Sequence, residues 1–416
     1  MAEVETQVTL RGGFCIERHP GPFAFVIFGA SGDLAHRKLL PALAALFQRR
    51  LLPNNFYVLG FSRTLFTNEE FREKIHTGLT AAFPEEEWEG LAEFVRRCSY
   101  LQGNYDDPEA YVRLAKRIGE LDEENSTGAN HIFYLSTPPT LSSEIVCRLG
   151  SSGMTRAAEG SYTHVVVEKP FGRDLQSAVA LNATLRENLA EEQIYRMDHY
   201  LGKDTVQNVL MLRFANAIFE PIWNQKYIDH VEIIVAETVG VEHRAGYFEQ
   251  AGLLRDIFQN HMIQMLALAA SEPPVSFEPN RLRDERVKLI RSIRPFPVGD
   301  LDQWIIRGQY GPGRIFDQDV PGYRDEERVA PDSRTETFVA AKLLIDNWRW
   351  RGVPFYMRAG KRLARRLSRI AVVFKNVPHS IFAPIAAAEL SPNVLVFKVQ
   401  PEEGVALTIE AKGPGP

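Results

Sequence analysis

Between Arg196 and Lys203 the chain brings an acid, an imidazole, a phenol and an ammonium together in Arg196-Met197-Asp198-His199-Tyr200-Leu201-Gly202-Lys203. His199, Tyr200 and Lys203 can each donate to a phosphate, and Gly202 permits a sharp bend. Asp198 cannot bind an anion, so its task must differ. The following Asp204-Thr205-Val206-Gln207 predicts a capping box that opens a helix. A helix start adds free backbone N–H groups and the positive end of a dipole. The segment therefore predicts an anion pocket with a carboxylate beside it.

A second chemical cluster is Arg255-Asp256 with Gln259-Asn260-His261, inside a long helix expected over Leu253–Ala270. Asp256 and His261 are five positions apart, roughly 140° around a helix of ~3.6 residues per turn. They are not expected to stack, so His261 must find its partner elsewhere in the fold. On its own, a helical histidine reads as a structural residue.

The elements that must position these groups alternate. Phe23–Phe28 is a short, nearly all-apolar run that fits a parallel strand buried on both faces. Gly29-Ala30-Ser31-Gly32-Asp33 is a tight turn, and Leu34–Arg49 follows with helical periodicity that Pro41 can kink. Strand, glycine turn and helix suggest the phosphate-binding start of a doubly wound fold, although Gly29-x-x-Gly32-x-x-Ala35 departs from the usual three-glycine spacing. Asn55–Phe61 predicts a second strand ending at Ser62-Arg63-Thr64. An acid at that strand end would take a ribose 2′-hydroxyl, whereas Arg63 suits a 2′-phosphate through bidentate, charge-assisted bonds. Further strands are expected at Asn130–Leu135 and Thr163–Val167, the latter ending at Glu168-Lys169-Pro170, where the proline pushes Lys169 away from helical geometry. Residues from about 65 to 125 are expected to be charged and mostly helical, forming outer helices with Trp88 and Phe94 facing inward.

After a helix from about Thr205 to Phe219 the pattern changes. Val231–Glu237, Ile370–Phe374, Val394–Val399 and Ala406–Glu410 are strand-like, and Pro401-Glu402-Glu403-Gly404 predicts a hairpin turn. The expected fold class is an α/β Rossmann domain followed by an α+β domain with a large, mainly antiparallel sheet. The expected division is a flexible arm over 1–22, a dinucleotide domain over 23–199, and an α+β substrate and oligomerisation domain over 200–416.

Composition bounds the function. The chain has 416 residues, 48 basic against 53 acidic, and a net charge of -5. That balance gives no electrostatic case for nucleic-acid binding. Cys15, Cys98 and Cys147 are scattered, without paired or metal-ligand spacing, which points to a reducing compartment. No run is long and apolar enough to span a membrane, and Met1–Pro22 lacks the make-up of a secretory signal. A cytoplasmic protein is expected.

The block Arg196–Lys203 with Gln207-Asn208 resembles the substrate-binding signature of glucose-6-phosphate dehydrogenases, and the similarity runs from about Phe23 to the C-terminus. The resemblance implies oxidation of glucose 6-phosphate at C1 to 6-phosphogluconolactone, with hydride transfer to NADP, the first step of the oxidative pentose phosphate pathway. It implies His261 as catalytic base and Asp198 as its orienting acid. A neutral histidine suits that task, because a carboxylate on its other nitrogen fixes the tautomer and stabilises the imidazolium. It implies substrate contacts from Lys169, His199, Tyr200, Lys203, Glu237, Asp256, Lys361 and Arg366. Cofactor contacts follow from Gly29, Ser31, Gly32, Asp33, Leu34, Lys38, Arg63 and again Lys169. No metal is needed, since the cofactor's ring accepts the hydride. Arg362, Arg365 and Arg369 are expected to form a solvated basic face. Thr64 stands where some relatives have a longer polar side chain, and the chain stops at Gly413-Pro414-Gly415-Pro416 where relatives continue, so either a shortened natural form or an incomplete chain, with an incomplete second domain, is expected. A homo-oligomer, dimer or tetramer, is expected if that domain is complete enough. An oxidoreductase of unphosphorylated sugars shares the glycine turn and Glu168-Lys169-Pro170. A truncated, non-catalytic NADP-binding relative is the other rival.

Overall fold

A computed structural model describes residues 20–83, 90–381 and 390–411. Trp88, most of the expected N-terminal arm and Gly413–Pro416 lie outside the described residues. The chain divides into two compact units that meet in sequence at Met197/Asp198.

The first unit is a six-stranded sheet of β1 (Phe23–Phe28), β2 (Phe56–Ser62), β3 (Cys98–Gln102), β4 (His131–Leu135), β5 (Thr163–Val167) and β6 (Ile194–Arg196). Its order is β3-β2-β1-β4-β5-β6, and every neighbouring pair is parallel. This is the doubly wound order. Helices α1 (Leu40–Gln48), α2 (Asn68–Ala82), α3 (Leu91–Arg96), α4 (Pro108–Asn125), α5 (Ser142–Ser151) and α6 (Leu175–Asn188) connect the strands. Two apolar clusters, one on Val26, Leu59, Leu114 and Val165 and one on Ile27, Val58, Phe71 and Phe94, form the core. Phe94 is buried as expected.

Two features of this unit differ from the sequence expectation. The segment 65–125 is mostly helical, as expected, but Cys98-Ser99-Tyr100-Leu101-Gln102 forms the unforeseen edge strand β3. That strand is short and half polar, so it carries no apolar run to announce it. The helix after the glycine turn also opens with a π segment, Ala35–Leu39, in which Leu40 N–H bonds to Ala35 O. Pro41 follows Leu40 directly, inside a continuous helix. The wider turn before it accommodates the ring without breaking the helix.

The second unit carries a seven-stranded sheet. Its strands are β7 (Ile228–Ala236), β8 (Ile305–Gly308), β11 (Phe338–Leu344), β12 (Pro354–Gly360), β13 (Leu367–Phe374), β14 (Val394–Gln400) and β15 (Gly404–Thr408). A separate hairpin pairs β9 (Gly313–Ile315) with β10 (Gln318–Val320). The large sheet runs β15-β14-β13-β7-β12-β11-β8. Only β7 and β12 pair in parallel, so it is mainly antiparallel. Alternating burial in β11 and β14 shows one face turned to the core. Against it pack α7 (Asp204–Phe214), α8 (Ala245–Leu253) and α9 (Ile263–Ala270), with Trp223 and Trp350 fully buried. Helix α10 (Pro279–Arg291) completes the unit. Helix α7 ends at Phe214 rather than Phe219. Among the described residues no helix is long and apolar enough to cross a membrane.

Candidate active site

In the first unit the end of β1 turns at Gly29, whose φ is +82°. A Cβ there would lie 2.3 Å from Ser136 O, so only glycine lets the turn pack this closely against the segment that follows β4. Ser31 is held by hydroxyls from the end of β2. Ser62 Oγ reaches Ser31 Oγ at 3.0 Å and Thr64 Oγ1 reaches it at 2.8 Å. Thr64 thus serves this turn directly, and Ser31 retains its own proton to donate. Arg63 is exposed, with its guanidinium 5.7 Å from the centre of the Tyr105 ring. Burial pushes the Tyr105 phenol up to about 12, so it is a neutral platform for that cation. Lys38 is exposed, Gly32 and Leu34 are half-buried, and Asp33 pairs with Arg37 at 2.7 Å on the surface. Lys169 follows β5, half-buried, and its bond to Pro170 is cis. Glu168 beside it accepts a short hydrogen bond from the Tyr134 hydroxyl.

In the second unit, residues far apart in sequence converge. His261 Nδ1 meets Asp198 Oδ1 at 2.5 Å. Tyr200 N–H also donates to Asp198 Oδ1, at 2.9 Å. Burial would raise the Asp198 carboxyl. The hydrogen bond and charge of His261, with the Tyr200 N–H, outweigh it and hold the carboxyl below its ordinary value. The Tyr200 ring stacks on His261, its hydroxyl reaches the buried Ser368 Oγ at 3.4 Å, and burial raises its phenol. The His199 ring lies 4.4 Å from that of His261. Lys203 Nζ is 5.0 Å from the centre of the Tyr200 ring. Burial lowers the Lys203 ammonium, Glu403 opposes that, and the positive charge of Arg366 adds to it. Arg366 therefore shares the field of Lys203, while its guanidinium bonds Gln400 Oε1 at 3.0 Å.

A second pair lies on neighbouring strands. Lys361 Nζ, buried just after β12, contacts Glu237 Oε2 at 2.5 Å just after β7. Glu237 N–H bonds to Gly360 O and Leu363 N–H to Glu237 O, so parallel strand pairing sets the two side chains together.

Three sequence expectations are corrected here. The capping box over 204–207 does not form: Lys203 is the N-cap of α7 and no side chain caps it. The Lys203 carbonyl takes the N–H groups of Val206 and Gln207, while the Gln207 side chain turns back to Leu201 O. Asp204 instead sits in the first turn, where the helix dipole favours it. The second correction concerns Asp256 and His261. The residues Leu254–Met262 form a π-helix, with Ile263 N–H bonded to Phe258 O. An i→i+5 ladder widens the turn, so the 140° separation reckoned for an α-helix does not apply. Both side chains are buried, and Asp256 Oδ1 receives the Tyr247 hydroxyl at 3.4 Å. Third, Arg362 and Arg369 are not a solvated face. Arg362 pairs with Glu326 at 3.0 Å and Arg369 with Glu232 at 3.6 Å; Arg365 is exposed.

Asp198, His199 and His261 each present one potential ligand atom within 4.8 Å of the others. Two imidazoles and a carboxylate also suit a divalent cation, which spacing in the sequence did not suggest. Sequence reasoning also missed Ser62, Tyr105 and Ser368. Each is an ordinary strand or loop residue whose place is set only by its neighbours in the fold.

The fold and the groups it gathers are those of a nicotinamide-dinucleotide-dependent dehydrogenase. Residues 26–208 match the glucose-6-phosphate dehydrogenase NAD binding domain, and residues 210–416 match the C-terminal domain of the same family. Glucose-6-phosphate 1-dehydrogenase 2 of Mycobacterium tuberculosis is 45% identical over 405 residues, 96% of this chain and 78% of that protein. A solved glucose-6-phosphate dehydrogenase in complex with its substrate glucose-6-phosphate superposes with a TM-score of 0.86 at 38% identity, over 95% of this chain and 79% of that one. The Mycobacterium avium enzyme superposes with a TM-score of 0.82 at 34% identity, over 95% of this chain and 81% of that one. The chain belongs to the glucose-6-phosphate dehydrogenase family.

Proposed function

We propose that the protein oxidises glucose 6-phosphate at C1 to 6-phosphogluconolactone and passes the hydride to NADP, opening the oxidative pentose phosphate pathway. The observation that carries this reading is the 2.5 Å contact between His261 Nδ1 and Asp198 Oδ1, beside His199, Tyr200 and Lys203. With Nδ1 engaged by the carboxylate, Nε2 of His261 takes the C1 hydroxyl proton as hydride leaves C1. Asp198, kept ionised, stabilises the imidazolium that forms. Lys203, His199, Tyr200 and Arg366 hold the 6-phosphate. Glu237 and Asp256 take sugar hydroxyls, and Lys361 orients Glu237.

A dinucleotide supplies the hydride acceptor when bound, and the first unit fits one. Its Gly29 turn has no room for a side chain, and Ser31, with its proton free to donate, and the exposed Arg63 would hold a 2′-phosphate. Gly32, Asp33 and Leu34 would offer backbone groups to the diphosphate, with Lys38 and Lys169 as supporting cations. The absence of a carboxylate at Arg63 favours NADP over NAD. Free thiols at Cys98 and Cys147 fit a cytoplasmic setting, and a homo-oligomer is part of the same reading. The cationic group around Lys203 favours a phosphorylated sugar over a neutral one.

Steady-state assays with glucose 6-phosphate and glucose, each with NADP and NAD, test the reading. The expected result is turnover that requires the phosphate and prefers NADP. Equal turnover of glucose would overturn it.

A further inference from the structure

The segment that carries His261 is held at both ends by groups outside it. It runs as a π-helix over Leu254–Met262 and continues as α9 to Ala270. A π-helix of this length is unusual, because the wide ring packs poorly about its own axis. Asn260 Nδ2 satisfies Arg255 O from inside the segment, at 2.7 Å. No side chain of the segment caps its start.

Glu336 supplies that cap from 82 residues away in sequence: its Oε1 accepts Leu254 N–H at 3.0 Å, and its backbone carbonyl accepts Leu253 N–H at 3.1 Å. Gly252, at φ +65°, makes room for it; a Cβ there would meet Glu336 Oε1 at 2.5 Å. A carboxylate here satisfies an orphan donor and faces the positive end of the helix.

The far end is fixed more heavily. Arg213, fully buried, donates to Leu268 O and Ala269 O at 3.1 Å and to Ser271 O at 2.9 Å. The indole N–H groups of Trp223 and Trp350 reach Ala269 O and Ala270 O at 2.8 and 2.7 Å. The last carbonyls of the helix thus have partners from three other places in the chain.

An α-helix is narrower than a π-helix and rises further per residue. If Leu254–Met262 relaxed to α geometry, it would lengthen between two fixed ends and turn its side chains about the axis. We propose that Glu336 is a positioning residue for the base: with the Arg213–Trp223–Trp350 clamp opposite, it keeps this segment in its π form and so keeps His261 on Asp198. The proposal rests on the functional reading given above.

Glu336→Ala and Glu336→Gln separate positioning from mere stability. Glutamine keeps an acceptor oxygen for Leu254 N–H, and alanine does not. Glu336→Ala is expected to lower kcat about tenfold, because small misplacements of a reacting group are costly, with KM for glucose 6-phosphate changed by no more than about threefold. Glu336→Gln is expected to restore kcat to within about twofold of the parent. The far-downfield proton signal of the His261–Asp198 hydrogen bond should weaken or shift in the alanine variant and persist in the glutamine variant. If Glu336→Ala lowers only the melting temperature, with kcat and this signal unchanged, the proposal is wrong. Should Glu336→Ala fail to fold, Trp350→Phe removes one donor from the opposite end. The same loss of kcat and signal is then expected, and a fall in melting temperature alone overturns the idea. An unmutated protein inactive on glucose 6-phosphate would refute the functional reading, and the proton signal would still report on the clamp.

Discussion

The ring of Tyr200 lies 4.3 Å from that of His261, with the two planes 22° apart. The phenol therefore covers one face of the imidazole while its hydroxyl points to Ser368. Tyr200 is thus packed against His261 as closely as against Lys203. Tyr200→Phe keeps the stack and loses the hydroxyl, so KM for glucose 6-phosphate should rise while kcat stays within about threefold. Tyr200→Ala removes the platform and should lower kcat as well. Equal kcat in the two variants would show that the stack does not support the base.

Lys203 and His261 should separate binding from chemistry. On the proposed reading the phosphate is held in ground and transition states alike, so Lys203→Ala should mainly raise KM. His261→Asn removes the proton acceptor and should lower kcat by ~10²–10⁴. Near-normal kcat in His261→Asn would end the proposed mechanism.

Arg63 is predicted to select the cofactor. A hydrogen bond to a charged group is worth ~1.5–3 kcal/mol, or roughly ten- to a hundredfold in affinity. Arg63→Ala should weaken NADP by that amount and leave NAD nearly unchanged, measured by fluorescence titration. Comparable losses for both would remove Arg63 from the 2′-phosphate.

The Asp198 carboxyl titrates below its unfolded value, because the opposing effect of burial is exceeded by His261 and the Tyr200 N–H. The stability it confers is then fully present above the unfolded value of ~3.9 and is lost as pH falls through the folded one. Melting temperatures of the parent and Asp198→Asn should differ most near neutrality and converge in acid. A gap that widens below about pH 4 would contradict the sign.

Much of the fold was legible because it is written in local pattern. Phe23–Phe28 and Thr163–Val167 are continuous apolar runs, and parallel strands buried on both faces require that composition. The glycine turn, with Arg63 where an acid would suit NAD, needed only its order along the chain. The chemistry of Asp198–Lys203 was visible from residue types in one short block. The edge strand β3 was not visible, because an edge needs no apolar run and Cys98–Gln102 borrows its register from β2.

What only the tertiary structure decided is how distant residues meet. Residue types and spacing left Asp198 and His261 sixty-three residues apart, paired only by the family resemblance, and reckoned His261 and Asp256 on an ideal α-helix. Whether a helix winds as α or π is a small local energy difference, settled here by what grips its ends, Glu336 at one and Arg213, Trp223 and Trp350 at the other. The same holds for Arg362, which looks like one basic surface residue among several until Glu326 lies beside it. Side-chain types and near-neighbour spacing carry the chemistry. The long-range contacts that aim it arise only when non-local packing overrides the local preference of each segment.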